Sequence, residues 1–237
     1  MTGGSRGIGA AIAERLAAPD RLVFLNYYRN EAAAAGVRDR LRGRGAAVEI
    51  VQADMADREA VFRMMDMVGR ETGRLDMLVH CAAPPLAPKR LMKLNWEADI
   101  LPQMMVGCAG FLHCIQAAKA FLGEDSRVAV LLTDALFHKP PVQMGAYLAA
   151  KGALWGLVRA AAKELQAQRV FVNAVSPGMT QTELLSNYGD RALELFAEDH
   201  PLRRLARPEE VAAAVESLLT GGYIHGANLI VNGGTEF

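Results

Sequence analysis

The sequence lacks net charge: across 237 residues, 26 lysines and arginines are matched by 26 aspartates and glutamates. That balance leaves none of the basic surface that nucleic acid requires and no electrostatic attraction to anionic lipid. Cysteine is scarce. Cys81, Cys108 and Cys114 cannot pair off completely and show no metal-ligand spacing, so they read as reduced core residues of a cytoplasmic protein, and no metal is expected. Long uninterrupted apolar runs are missing too. None follows Met1, which speaks against a signal peptide. The most apolar long window, 101–122, carries Pro102, Gln103, His113, Gln116 and Lys119, and reads as a buried helix rather than a membrane span. What is present is ample for one large domain: 51% hydrophobic and 22% charged residues.

Apolar runs of strand length alternate with longer stretches of helical period. LVFLNY (22–27), AVEIVQ (47–52), LDMLVHC (75–81), VAVLLT (128–133), RVFVNAV (169–175) and ANLIVN (227–232) read as strands. Helices are expected around Ala32 to Ala35, after an Asp57 cap with Val61, Met64, Met65 and Val68 on one face, over 97–122, over 145–167, and from Pro208 onward. Strands that alternate with helices give right-handed βαβ units on a parallel sheet, and continuous apolar strands place helices on both faces. With no repeat, linker or low-complexity segment, residues 1–237 are expected to form a single α/β domain.

TGGSRGIG at 2–9 leads directly into the helical stretch AAIAERLA. Gly3 permits a tight turn, Gly7 lets backbone approach a phosphate, and Gly9 allows close helix–sheet packing. A helix N-terminus there offers unpaired N–H groups and partial positive charge to a pyrophosphate. Farther on, Tyr147 and Lys151 stand four residues apart in YLAAK, one turn apart on one helix face. A phenol is a poor acid or base near neutral pH, but an adjacent ammonium stabilises its anion, and such a pair can pass a proton to or from a substrate oxygen.

The order TGxxxGxG, then YxxxK, then the Pro-Gly turn of NAVSPGMTQT (173–182) resembles the short-chain dehydrogenase/reductase family. ADMAD (53–57), PLRRLARPEEVAAAVESLL (201–219) and VNGG (231–234) are similar to further family segments, so the likeness spans nearly the whole chain. It implies a Rossmann-like doubly wound parallel sheet and an NADP(H)- or NAD(H)-dependent oxidoreductase, with Tyr147 transferring the proton and Lys151 binding the nicotinamide ribose and tuning Tyr147. The cofactor-binding set that it implies is Gly3, Ser5, Arg6, Gly7, Ile8 and Gly9 in the loop; Tyr28 and Arg29; Asp54, at the adenine, and Met55; Cys81 and Ala82; Tyr147 and Lys151; and Pro177, Gly178, Thr180 and Thr182 along the nicotinamide end. Residues 26–29 read Asn-Tyr-Tyr-Arg with no acid, and Arg6 and Arg29 are placed to bracket a 2′-phosphate; NADP(H) is therefore expected over NAD(H). The resemblance also implies a small-molecule substrate. An amphipathic stretch at 183–200 lies where the family carries a mobile lid, and an apolar lid suits a hydrophobic or flat substrate. Family members pair the equivalents of helices 97–122 and 145–167, which here are apolar all round. A homodimer or homotetramer is expected, and a monomer by light scattering would contradict it.

Departures from the family pattern leave the chemistry open. His80-Cys81-Ala82-Ala83 stands in place of Asn-Asn-Ala-Gly, no asparagine lies in 96–120, and Asp134 stands thirteen residues before Tyr147, where the family has serine. One reading places Thr133 in the serine's role with Asp134 as a turn residue. A second makes Asp134 catalytic beside Tyr147, the pattern of pteridine and dihydromonapterin reductases; a carboxyl can donate to a carbonyl only when protonated, which desolvation favours. A third is a nucleotide-binding regulatory protein that has lost catalysis. A 3-oxoacyl or other carbonyl reductase using Tyr147 is the leading reading. Finally, the family places a strand before the glycine loop, between those at 22–27 and 75–81, and only Met1 precedes Thr2. An empty slot would leave its neighbours about 9–10 Å apart with buried, unpaired backbone groups, and a native start upstream of Met1 is expected.

Overall fold

The computed structural model describes residues 1–138 and 140–235. Two expected strands form over the residues that the apolar runs mark, Leu22–Tyr27 (β1) and Ala47–Gln52 (β2). The others are Met77–His80 (β3), Arg127–Leu131 (β4), Phe171–Pro177 (β5) and Asn228–Val231 (β6). β5 begins and ends two residues later than expected. Arg169 is left-handed at φ 56° and cannot extend a strand, while pairing of Pro177 with Val231 carries β5 onward.

Every strand pairing is parallel, with β1–β2 in one sheet and β3–β4–β5–β6 in another. Helix α1 (Gly7–Leu16) packs Ile12 and Leu16 with Val79, Leu131, Val175 and Val215 on one face. α2 (Glu31–Arg42) packs Val37 and Leu41 on Leu25 and Val48 of the small sheet. α3 (Arg58–Thr72), starting at the Asp57 cap, covers the opposite face of the larger sheet. The doubly wound α/β expectation is met.

The two sheets are joined by two residues. Met1 donates its amino group to Phe24 O (3.0 Å) and accepts from Asn26 N (2.9 Å), while Thr2 N donates to Val79 O (2.9 Å). Thr2 also pairs in parallel with His80. These residues close the slot at the C-terminal ends of β1 and β3. Below them lies a cavity of about 680 Å³ lined by Val23, Phe24, Met65, Val68, Met77 and Leu78. The gap expected from the sequence is therefore present, but it is bridged where the phosphate loop needs its anchor.

The expected helix at 97–122 is not a regular, buried α-helix. Over Trp96–Ala118 (α4), wide π turns occupy Trp96–Ile100 and Met104–Ala109, and α geometry is regular only at Leu101–Gln103 and Gly110–Ala118. Pro102 brings no N–H to the ladder. Farther along, His80 Nε2 donates to the Gly107 carbonyl (2.9 Å). Only one face is covered: Phe111 and Cys114 are buried in the core, whereas Trp96, Leu101 and Leu112 are exposed. The stretch is long and apolar enough to cross a membrane, by length and composition. The remaining helices are α5 (Gly145–Leu165), α6 (Asp190–Asp199) and α7 (Pro208–Thr220).

His80 is buried with both ring nitrogens bonded. The Thr2 hydroxyl accepts from the amides of Cys81 (3.1 Å) and Ala82 (3.2 Å), so its own proton goes to His80 Nδ1 (3.1 Å). Burial, reinforced by the Lys151 ammonium, pushes the imidazole down to about 3 from 6.5. The unfolded chain therefore takes up this proton first as pH falls. The contribution of this group is complete above 6.5, and falling pH withdraws it at about 1.4 kcal/mol per pH unit between there and the folded value. Urea unfolding at neutral pH and at about pH 5 should show a correspondingly shallower loss in His80→Asn; equal losses in the two proteins would contradict the assignment.

Candidate active site

Among the described residues, the strands of both sheets, linked in parallel through Met1 and Thr2, point their C-terminal ends to one side, the side on which α/β sheets bind ligands. The glycine loop sits there, held by Thr2 and by Asn26, a buried side chain at the end of β1. Asn26 Oδ1 accepts from Gly3 N (3.2 Å), and its Nδ2 donates to Tyr27 O (3.2 Å) and Ala53 O (3.0 Å). The site-residue reading missed Asn26; the available signal was a polar residue inside an apolar strand, which must find partners when buried.

The loop is built so closely that side chains would fill it. A Cβ on Gly3 would lie 2.9 Å from the Ala82 backbone, and one on Gly9 would lie 2.1 Å from Gly3 O. Gly9 thus serves the loop's own closure rather than the helix–sheet packing expected of it. Gly7, at φ +53°, faces Thr182, whose methyl would be 3.2 Å from a Cβ. Ser5 is half-buried, Arg6 is exposed, and Ile8 joins the core beneath the loop. The first turn of α1 thus opens onto a cleft of about 590 Å³ reached by Thr182, Leu185, Tyr188 and Leu193. A cradle of this shape at a helix N-terminus fits a pyrophosphate.

On the cofactor's expected adenine side, Tyr28 and Arg29 are exposed. The Arg29 guanidinium lies over the Tyr28 ring, 4.6 Å from its centroid, and donates to its hydroxyl (3.0 Å). Asp54 is half-buried, and its carboxylate accepts from Ala56 N (2.9 Å). Met55 is buried against Gly110. Cys81 and Ala82 follow β3 and face the loop through Thr2.

On α5, Tyr147 and Lys151 share the face that meets the end of β4. Lys151 is buried and donates to Leu131 O (2.6 Å). Its Nζ lies 5.7 Å from the Tyr147 ring centroid. Burial lowers the ammonium to about 8 from 10.5. Burial pushes the Tyr147 phenol up to about 12, opposed by a hydrogen bond with the Thr133 side chain, with the Asp134 charge raising it further. Of the two turn residues, Thr133 acts on the phenol through hydrogen bonding and Asp134 through its charge. Asp134 accepts instead from Asn232 Nδ2 (3.3 Å). Pro177 ends β5, Gly178 N donates to Val231 O (3.0 Å), and Thr180 Oγ1 donates to Gly178 O (2.9 Å).

The stretch expected as one amphipathic lid divides into a short turn, Glu183–Leu185, and α6, with 186–189 between them. Leu185 packs with Leu86 and Met144 beside Tyr147, Leu148 and Met179, so the wall next to the phenol is apolar. Among the described residues no group of three or more His, Cys, Asp or Glu is placed to hold a metal.

Comparison with known proteins points the same way. The family described as enoyl-(acyl carrier protein) reductase matches residues 3–236. The chain is 30% identical over 239 residues to an acetoacetyl-CoA reductase of Allochromatium vinosum, covering 99% of this chain and 96% of that one. Identity to a 3-oxoacyl-[acyl-carrier-protein] reductase of Staphylococcus aureus is also 30%, with the same coverage. A crystal structure of a short-chain dehydrogenase from Burkholderia cenocepacia in complex with NADP superposes with TM-score 0.92 at 32% identity, covering all of this chain and 96% of that one.

Proposed function

The chain belongs to the short-chain dehydrogenase/reductase family, and from that premise we propose that it is a cytoplasmic, NADP(H)-dependent reductase of a carbonyl on an acyl substrate. The observation that carries the reading is the convergence of Thr133, Tyr147 and Lys151 at the end of β4, beside the glycine cradle. Gly3, Gly7 and Gly9 with the α1 N-terminus would hold the pyrophosphate, and Arg29, with Arg6, a 2′-phosphate. No acid stands at the end of β1 to select a free 2′-hydroxyl. Bound there, reduced nicotinamide supplies a hydride.

The protein's own part is acid catalysis and positioning. A phenol held near 12 stays protonated through neutral pH, the form that gives a proton to a carbonyl oxygen. Thr133, which hydrogen-bonds with the phenol, would hold that oxygen as well. Lys151, still charged at neutral pH, stabilises the phenolate as it forms. The apolar wall of Leu86, Met144, Met179 and Leu185 excludes water and accepts a hydrocarbon chain. A pteridine-reductase-like enzyme would need Asp134 on the substrate, whereas that carboxylate is engaged by Asn232. The regulatory alternative is opposed by the intact Thr133–Tyr147–Lys151 set. We also infer a homodimer or homotetramer through 97–122 and 145–167, supported by the exposed Trp96, Leu101 and Leu112.

The deciding measurement is cofactor oxidation with acetoacetyl-CoA, simple ketones and dihydropterins in parallel. Turnover of acetoacetyl-CoA is expected, with kcat/KM roughly tenfold or more higher for NADPH than for NADH, the worth of one charge-assisted hydrogen bond. Tight NADPH binding without oxidation by any of the three would sink the reading in favour of the regulatory one.

A further inference from the structure

Asn232, in the turn after β6, touches three separate parts of the chain. Its Nδ2 donates to Asp134 Oδ2 (3.3 Å), beside the residue that meets Tyr147. Its carbonyl accepts from His200 Nε2 (2.8 Å). His200 Nδ1 is already an acceptor for Leu202 N (3.0 Å), which leaves the proton on Nε2 and aims it at Asn232. Asn232 Oδ1 accepts from Gly234 N (3.2 Å), which fixes the direction of the amide toward Asp134.

The packing is as close as the bonding. A Cβ on Gly178 would lie 3.0 Å from Asn232 Cβ and 3.4 Å from Asp134 Oδ2, and one on Gly233 would lie 2.7 Å from His200 Cε1. His200 begins the return leg of the flap that leaves the sheet at Thr182. The leg ends where Ala206 N donates to Met179 O (3.0 Å) and Gln181 N to Ala206 O (2.9 Å). One leg of the flap is thus fastened to the nicotinamide end of the site at 179–181. The other fastening runs through Asn232 to the 133–134 turn.

We propose that Asn232 is a positioning residue that ties the return leg of the 183–206 flap to Asp134, so that seating of the flap and placement of the Thr133–Asp134 turn beside Tyr147 occur together. Its consequence for substrate rests on the reductase reading above, whereas the tie itself can be measured without turnover.

The test is limited trypsin digestion of the full chain with NADPH present, read at Arg203 and Arg204, which are both exposed on the return leg. Asn232→Asp sets two carboxylates against each other, and cleavage there is expected to quicken roughly tenfold. Asp134→Ala, which does not touch the flap, should have the same effect from the far end. Combining Asn232→Asp with Asp134→Asn exchanges the amide and the carboxylate. The new carboxylate at 232 accepts from the new amide and keeps the Gly234 bond, so the rate should return to within about twofold of the parent. Wild-type cleavage in both single variants, or a combined variant as fast as Asn232→Asp alone, would overturn the proposal. With acetoacetyl-CoA as the probe, Asn232→Asp should raise KM roughly tenfold while kcat changes less than about threefold, and the combined variant should recover KM. If the parent does not reduce acetoacetyl-CoA, the substrate reading fails, and digestion alone decides the tie.

Discussion

Replacing Tyr147 with phenylalanine should lower kcat for NADPH-driven reduction roughly a thousandfold, within the range that a positioned general acid contributes. Only the hydroxyl is removed, and the ring that shares α5 with Lys151 remains. Among the described residues, no second phenol stands beside Lys151 to take its place. Lys151 is anchored by donating one hydrogen bond to Leu131 O, and Asp134 accepts from Asn232. Removal of the Thr133 hydroxyl in Thr133→Val should cost less, about ten- to a hundredfold, because the phenol keeps its proton while it and the substrate oxygen each lose one hydrogen bond. Steady-state kinetics of the two variants, with NADPH binding followed by nicotinamide fluorescence, separates chemistry from cofactor affinity. A fall of less than about tenfold in Tyr147→Phe would remove the phenol from the proton-donor role.

Gly9→Ala should have the largest effect on cofactor binding. The added methyl would stand 2.1 Å from Gly3 O and 2.9 Å from Gly3 C. Both are backbone atoms, so no side-chain end can swing away, and the loop must open. The expected cost is about 1–3 kcal/mol of stability, typical of overpacking, together with at least a hundredfold loss of NADPH affinity, about 2.8 kcal/mol. Gly36→Ala is the control. It lies within α2, outside 97–122 and 145–167, and a new Cβ would meet only the flexible end of Arg40, at 3.8 Å, so removing glycine from a helix should add up to about 1 kcal/mol. Urea unfolding and NADPH titration of the two variants make the comparison. Wild-type affinity in Gly9→Ala would mean that the phosphate loop does not hold the cofactor.

Much of the architecture was legible because it is written in local pattern. Continuous apolar runs marked β1 and β2 at their observed limits, Asp57 marked the cap of α3, and Pro208 the start of α7. Each of these depends on dihedral preference or on hydrogen bonds to residues a few positions away, which the order of residues carries directly. The glycine spacing and the Tyr147–Lys151 pair belong to the same class, since a turn and one helix face place them.

The rest was decided only when distant segments met. Whether Thr133 or Asp134 serves Tyr147 depends on how the turn after β4 leaves the sheet, and Asn232, 98 positions away, holds the carboxylate to one side. α4 has the composition of a plain helix, yet Pro102 and the His80 bond to Gly107 O accompany a coil with two π stretches. The slot between the strands at 22–27 and 75–81 was expected to stand empty, yet Met1 and Thr2 bridge its upper end, because Phe24 and Val79 offer backbone partners on either side. By itself the sequence determined which segments become strands and helices and which chemical groups are present. The tertiary structure decided which of those groups touch, because a hydrogen bond depends on distance and direction across the sheet, and neither is a property of spacing along the chain.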